Sequence, residues 1–205
     1  MLVDSEGVWD SVREELAKEC GGRWHENAMH DMLGMSSLEW SRYMHDVIGV
    51  PMEPEAISDL VVERVMERYR EHLPLLPGAV EAVRAAAERW PLGLATSSNR
   101  PVIDLVLELS GLSSAFRATV SSEEVGRGKP APDVYLEAAR QLDADPTRCG
   151  AIEDSTNGIK SAKAAGMFVA VVPRPDLPPA PDALEMADLR LDSLEQLRGR
   201  ISDIR

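Results

Sequence analysis

The stretch "CGAIEDSTNG" at 149–158 sets two adjacent carboxylates, Glu153 and Asp154, directly behind a short apolar run. Paired carboxylates at such an end suit an octahedral Mg2+, which takes few protein ligands and keeps waters or substrate oxygens. A second stretch, "GRGKPAPD" at 126–133, holds Lys129 between a glycine and prolines, where its ammonium can act as a fixed point charge on an anion. A third, "LATSSN" at 94–99, offers Thr96, Ser97, Ser98 and Asn99. Hydroxyls and backbone N–H groups just ahead of a helix start suit a phosphate. Each stretch also has a plainer reading. Ser98 or Asn99 can simply cap the helix that starts at Pro101, and a lone loop lysine is usually just solvated. Asp154 can cap the helix behind it, which leaves Glu153 unexplained.

The elements that carry these residues follow a regular alternation. "LGLATSS" (92–98) leads into a helix from Pro101 to about Ser110, "RATVSS" (117–122) into "PDVYLEAARQL", and "CGAIED" (149–154) into "STNGIKSAKAAG". "FVAVVP" (168–173) and "ADLRL" (187–191) read as further strands, and Ser193 with Gln196 forms a capping box on the last helix. Continuous apolar strands alternating with helices indicate a parallel sheet covered on both faces. In such a sheet ligands bind beyond the carboxyl ends of the strands, where the polar stretches lie. The proline-rich "PRPDLPPAPDA" at 173–183 reads as a surface loop.

Residues 4–73 are helical throughout. Val8, Val12 and Leu16 recur at four-residue spacing up to the glycine pair at 21–22. "SSLE" at 36–39 is a capping box opening a helix with Trp40, Met44, Val47 and Ile48, and Ile57, Leu60, Val61, Val65 and Tyr69 form another stripe. This predicts a small helical bundle with its Met, Trp and Tyr residues in the core. Trp9, Trp24, Met35 and Trp40 are either that core or ligand contacts.

With 44% hydrophobic residues in 205, the chain can bury a core, and with only 4% aromatic residues that core must be mostly Leu, Val, Ala and Met. A net charge of -13 without a segregated basic patch excludes nucleic acid as a partner. Cys20 and Cys149 lie far apart, with no metal-type spacing to a histidine, and are expected to be buried fillers in a reducing compartment. No apolar run approaches the ~18 residues of a membrane helix, and no signal peptide precedes the first helix. The expectation is a soluble, cytoplasmic protein that binds no membrane.

In order and spacing, "LATSS", "GKPAPD" and "IEDSTNGIKSAKAAGM" resemble the second, third and fourth motifs of the haloacid dehalogenase superfamily, in its capped phosphatase, beta-phosphoglucomutase-like branch. The resemblance implies an α/β fold, a Rossmann-like parallel sheet core with an inserted helical (C1-type) cap. On that reading 1–4 is a remnant of the first motif, 5–73 the cap and 74–205 the core. It also implies a Mg2+-dependent phosphomonoester phosphatase for a small phosphorylated metabolite. The implied roles are catalytic for Lys129 and Thr96, phosphate-binding for Thr96, Ser97 and Lys129, and metal-binding for Glu153 and Asp154, Asp154 the more directly. A sugar phosphomutase of the beta-phosphoglucomutase type is a rival. That mutase places basic side chains where this sequence has Leu33 and Ser37 and a His where it has Trp9, and these departures favour the phosphatase.

The opening "MLVDSE" departs from the pattern. It matches a "VLVDSE" that in the capped branch follows the first motif, with Met1 in place of a Val. The resemblance therefore implies that the first core strand and the nucleophile and acid/base aspartates of Asp-x-Asp-Gly are absent from residues 1–205. Residues 1–205 are then expected to be either destabilised or to fill the gap with another segment, and to be inactive by the aspartyl route, or else to be a non-catalytic binding protein. A Val codon read as a start would explain the opening, and the DNA upstream of Met1 is expected to encode the missing motif in frame.

Overall fold

The computed structural model describes residues 1–32, 35–175 and 177–200, so Leu33 lies outside the described residues. In chain order the helices are α1 (Glu6–Glu19), α2 (Ala28–Met32), α3 (Ser37–Tyr43), α4 (Pro54–Glu71), α5 (Ala79–Ala87), α6 (Arg100–Leu109), α7 (Asp133–Gln141), α8 (Thr156–Ala164), α9 (Pro181–Glu185) and α10 (Leu194–Arg200). The strands are β1 (Leu92–Thr96), β2 (Phe116–Ser121), β3 (Gly150–Glu153), β4 (Phe168–Val171) and β5 (Leu189–Arg190).

One unit consists of Val3–Pro74 together with Asn99–Leu109. Its core is built from the apolar faces of α1 and α4: Val12, Leu16, Ile57, Val61, Val65 and Tyr69 are all buried. Trp9 and Trp40 belong to this core, with Trp24 and Met35 packed against it half-buried. The capping box is formed, Ser36 Oγ accepting from the Glu39 N–H at 3.4 Å and Glu39 returning a carboxylate oxygen to the Ser36 N–H at 2.7 Å. Behind α3 the chain widens into a π-helical turn, Met44–Ile48, closed by Gly49 at φ 82°. That conformation favours glycine. The wider turn shifts the stripe, so Met44 and Ile48 are buried while Val47, expected inward, is 56% exposed. The expected domain boundary also moves. α6, assigned from the sequence to 74–205, belongs to the helical unit because Val102, Leu105 and Val106 complete its core.

The other unit comprises Met1–Leu2, Leu75–Ser98 and the chain from Ser110 onward. All its strand pairs are parallel. Among the described residues they form two hydrogen-bonded sets, β1-β2 and β3-β4-β5, where the sequence pattern suggested one. Val120, Val134, Ile159, Val169 and Val171 fill the core between strands and the helices α7 and α8. The proline-rich segment is not all loop: Pro181 at the first position of α9 starts a helix. Gln196 bonds the Asp192 N–H and not that of Ser193, so the last capping box is only half formed. Cys20 and Cys149 are free but half-buried, short of the burial expected. No helix of the described residues is long and apolar enough to cross a membrane.

Leu16 is 1% exposed in the helical core, whereas Leu38 is 51% exposed. Leu16→Ala is expected to cost about 2–5 kcal/mol in denaturant unfolding. Leu38→Ala should change stability by less than about 0.5 kcal/mol.

Candidate active site

β3 delivers Glu153 into the interior, 4% exposed, and the chain then turns through Asp154 and Ser155 into α8. Ser155 caps that helix by accepting from the Gly158 N–H at 3.1 Å, and its hydroxyl donates to Glu153 Oε2 at 3.1 Å. The Asp154 N–H donates to the same oxygen at 3.1 Å. Gly158 is required here, because a Cβ on it would overlap the Glu153 carboxylate.

The other carboxylate oxygen receives the cation. Lys129 Nζ donates to Glu153 Oε1 at 2.6 Å and to the Ala95 carbonyl of β1 at 3.2 Å. Tyr135 of α7 donates its hydroxyl to Glu153 Oε1 at 2.5 Å, and the ammonium sits 4.9 Å from the centre of the Tyr135 ring. Burial alone would raise the Glu153 pKa. The charge of Lys129, its hydrogen bond and that of Tyr135 outweigh burial and bring it down to about 2. Burial, reinforced by Glu153, pushes the Tyr135 phenol well above its usual value, so it stays a donor.

This geometry divides the two carboxylates expected to share a metal. Both Glu153 oxygens are engaged by protein donors, which fills the about four lone-pair positions of a carboxylate. Glu153 therefore anchors Lys129 and has no oxygen left for direct ligation. Asp154 differs: its Oδ2 faces the ammonium of Met1 at 3.1 Å, with the side chain 16% exposed. Its carboxylate is not saturated by side-chain donors, and Mg2+ commonly takes one or two carboxylates and completes its shell with water and phosphate oxygens. Asp154 fits that role, although no group of three or more acidic, His or Cys side chains gathers among the described residues.

Thr96 ends β1, one residue after the Ala95 carbonyl that holds Lys129. Its hydroxyl donates to Ser98 Oγ at 3.3 Å and accepts from the Ser98 N–H at 3.2 Å. Ser97 is exposed and its hydroxyl meets that of Ser122 at 3.4 Å. Lys129, Glu153 and Asp154 are thus brought together by direct bonds or adjacency. The Thr96 and Ser97 hydroxyls bond neighbouring serines instead. Sequence reasoning did not single out Tyr135, Ser155 or Gly158. Tyr135 carried a signal, a phenol six residues after Lys129 on the buried face of a short helix. For Gly158 the only trace is a glycine in the first turn of α8.

With this geometry in view, the comparisons identify the lineage. Residues 2–166 match the haloacid dehalogenase-like hydrolases, and the chain belongs to that family. It stands among the family's phosphatases. Hexitol phosphatase B of Escherichia coli is 34% identical over 98% of this chain and 91% of its own length. The crystal structure of CbbY from Rhodobacter sphaeroides in complex with phosphate superposes with a TM-score of 0.85 at 25% identity, covering 96% of this chain and 92% of that one. A beta-phosphoglucomutase from Clostridium difficile has a TM-score of 0.81 at 20% identity over 99% and 91% of the two chains, a likeness of fold. The expected absence of a first core strand finds no support in these comparisons, whose family match runs from residue 2.

Because the Glu153 pKa is depressed from 4.5 to about 2, its stabilising contribution is present above pH 4.5 and is lost as the pH falls toward 2. Lys129→Met leaves a buried carboxylate without its counter-charge. The variant is expected to be about 3–5 kcal/mol less stable at pH 7. The deficit should shrink as the pH falls through the variant's own raised Glu153 pKa and on toward 2, where the wild-type carboxyl is protonated as well, read from urea unfolding at both ends of the range.

Proposed function

We propose that the protein is a Mg2+-dependent phosphomonoester hydrolase acting on a small phosphorylated metabolite of the sugar or sugar-alcohol kind, in the cytoplasm. The observation that carries the reading is the Lys129 ammonium, bonded to the end of β1 and to Glu153 beside Asp154. Membership of a hydrolase family whose relatives include a hexitol phosphatase supports the substrate class. Trp9 and Ser37, at positions where the mutase branch carries His and a basic residue, favour hydrolysis over transfer within a sugar phosphate.

Asp154 would hold Mg2+, which when bound supplies charge neutralisation for a phosphate oxygen. Lys129 would sit against the transferring phosphate as a fixed positive charge, and Tyr135 and Glu153 would keep it from swinging away. Thr96 and Ser97 would exchange their present serine partners for phosphate oxygens. In the family's route an Asp carboxylate attacks phosphorus, the ester P–O bond breaks, the alcohol leaves with a proton from a second Asp, and water then cleaves the aspartyl-phosphate. We read the helical unit as the family's cap. Residues 1–205 contain no Asp-x-Asp-Gly sequence. The residues in hand therefore supply the phosphate- and metal-holding half of that chemistry, and a non-catalytic binding protein is the alternative outcome.

Calorimetry with Mg2+ and phosphate release from sorbitol 6-phosphate test this reading. Residues 1–205 are expected to bind Mg2+ and release no phosphate. Supplying an apolar strand ending in Asp-x-Asp-Gly ahead of residue 1 should bring Mg2+-dependent release, abolished by Asp154→Asn. Glu153→Gln should weaken metal binding by about ten- to a hundredfold, as loss of a supporting partner does. Metal binding that survives Asp154→Asn would refute the metal assignment, and continued inactivity after the motif is supplied would favour the binding protein.

A further inference from the structure

Ser161 sits within α8 and is fully buried, and its hydroxyl donates at 2.6 Å to the main-chain carbonyl of Ala131. A serine inside a helix usually turns its hydroxyl to solvent or back to the carbonyl four residues earlier. Here the bond leaves the helix altogether. An alanine would fit the same space and favour the helix more. The hydroxyl at this position is therefore accounted for by what it holds.

It holds the turn that carries Lys129. The Ala131 N–H donates to the Gly128 carbonyl at 3.0 Å, closing a turn with Lys129 and Pro130 at its centre. Pro130 and Pro132 flank Ala131, and a proline fixes its φ and has no N–H to offer. Fixing one carbonyl of so stiff a turn fixes the turn, and with it the direction in which the Lys129 side chain leaves the backbone. The same helix also holds the partner of Lys129. Ser155 caps α8 and donates to Glu153 Oε2 at 3.1 Å, while Glu153 Oε1 receives the ammonium at 2.6 Å. Ser155 and Ser161 lie about 9 Å apart along the helix axis. The contacts form a closed ring, from Lys129 through its turn to Ala131, Ser161 and α8, and back through Ser155 and Glu153 to the ammonium. Every member belongs to the sheet-bearing unit. Tyr135 and Glu153 restrain the tip of the lysine, and Ser161 restrains its base. Without the Ser161 bond the ammonium is still drawn to Glu153, but the backbone beneath it is free to shift.

We infer that Ser161 is a positioning residue for Lys129, acting through the Ala131 carbonyl. The inference rests on the proposed phosphatase reading for the phosphate that Lys129 meets and on the bond alone for the tether. Competitive acetylation of residues 1–205 by acetic anhydride, followed for each lysine by mass spectrometry, tests the tether. Lys129 is 12% exposed and paired with Glu153, and Lys163 of α8, 26% exposed and paired with Asp188, serves as the internal reference. Ser161→Ala should raise the Lys129 rate relative to that of Lys163 about three- to tenfold, the factor that one hydrogen bond is worth. Ala162→Gly, at the next and equally buried position, weakens α8 without touching the bond and should leave the ratio unchanged. In calorimetry with inorganic phosphate at saturating Mg2+, Ser161→Ala should bind phosphate about three- to tenfold more weakly than the wild type. Its Mg2+ affinity should be unaltered, because the Asp154 carboxylate takes no part in the ring. An unchanged ratio in Ser161→Ala overturns the tether. So does an equal rise in Ala162→Gly, which would mean that Lys129 answers to the stability of α8 and not to this bond. A raised ratio with undiminished phosphate binding overturns the positioning role. A failure of the phosphatase reading looks different: the wild type would bind no phosphate, and the acetylation ratio would still decide the tether.

Discussion

The buried ion pair between Lys129 and Glu153 is the constraint around which the sheet-bearing unit is arranged. Two charges withdrawn from water are stable only when their geometry is good and their remaining donors and acceptors are filled. The protein meets that demand from four directions. Ala95 at the end of β1 takes one ammonium hydrogen, Tyr135 of α7 shares the carboxylate oxygen, and Ser155 with the Asp154 N–H satisfies the other oxygen. Gly158 gives the carboxylate room against the first turn of α8. β1 and β3 share no backbone ladder among the described residues, and Lys129 is the side chain that bonds to both. Removing either charge leaves the other uncompensated, removing a neutral partner leaves a buried donor or acceptor unfilled, and so the elements that carry the partners are held in register by one polar cluster.

The same pair sets the electrostatics available to a ligand. Lys129 brings one positive charge, but Glu153 cancels it at 2.6 Å, and Asp154 adds a negative charge beside them. On a chain of net charge -13 this is a poor place for a phosphate dianion unless another cation joins. The Met1 ammonium stands at Asp154 in the present structure. The proposed Mg2+ would answer the same demand with twice the charge. Rigid placement of Lys129 is then more useful than a free lysine of greater net charge, because a fixed dipole needs no reorganisation when charge develops on the phosphate.

The two buried pairs of the molecule contrast instructively. Lys129 and Glu153 are saturated, which suits a scaffold. Asp10 and Arg13 are less complete: the guanidinium lies against Trp9 and Trp40, and Arg13 Nε and Asp10 Oδ2 are buried without a partner. Local sequence signals were reliable where the cause is local. The Ser36–Glu39 capping box, the α4 stripe and all five strand positions follow from hydrogen-bonding groups and apolar spacing within a few residues. They failed where neighbours decide. Val47 turned outward because a π-helical turn widened the chain after α3, and α6 joined the helical unit because its apolar face completes that core.

The sequence by itself determined that carboxylates, a lysine and hydroxyls stand at the ends of apolar strands in a parallel α/β unit, since strand and helix periodicity are properties of the chain alone. It named Lys129 for an anion and Glu153 with Asp154 for a metal, Asp154 the more directly. Only the tertiary structure decided that Glu153 is spent on Lys129 while Asp154 is left to face a cation. The physical reason is that consecutive residues at a strand end point in different directions. Which of the two meets the lysine depends on a loop 24 residues earlier in the chain. Tyr135 and Gly158 matter for the same reason, because hydrogen-bond saturation of a buried charge is a three-dimensional requirement that no spacing along the sequence records.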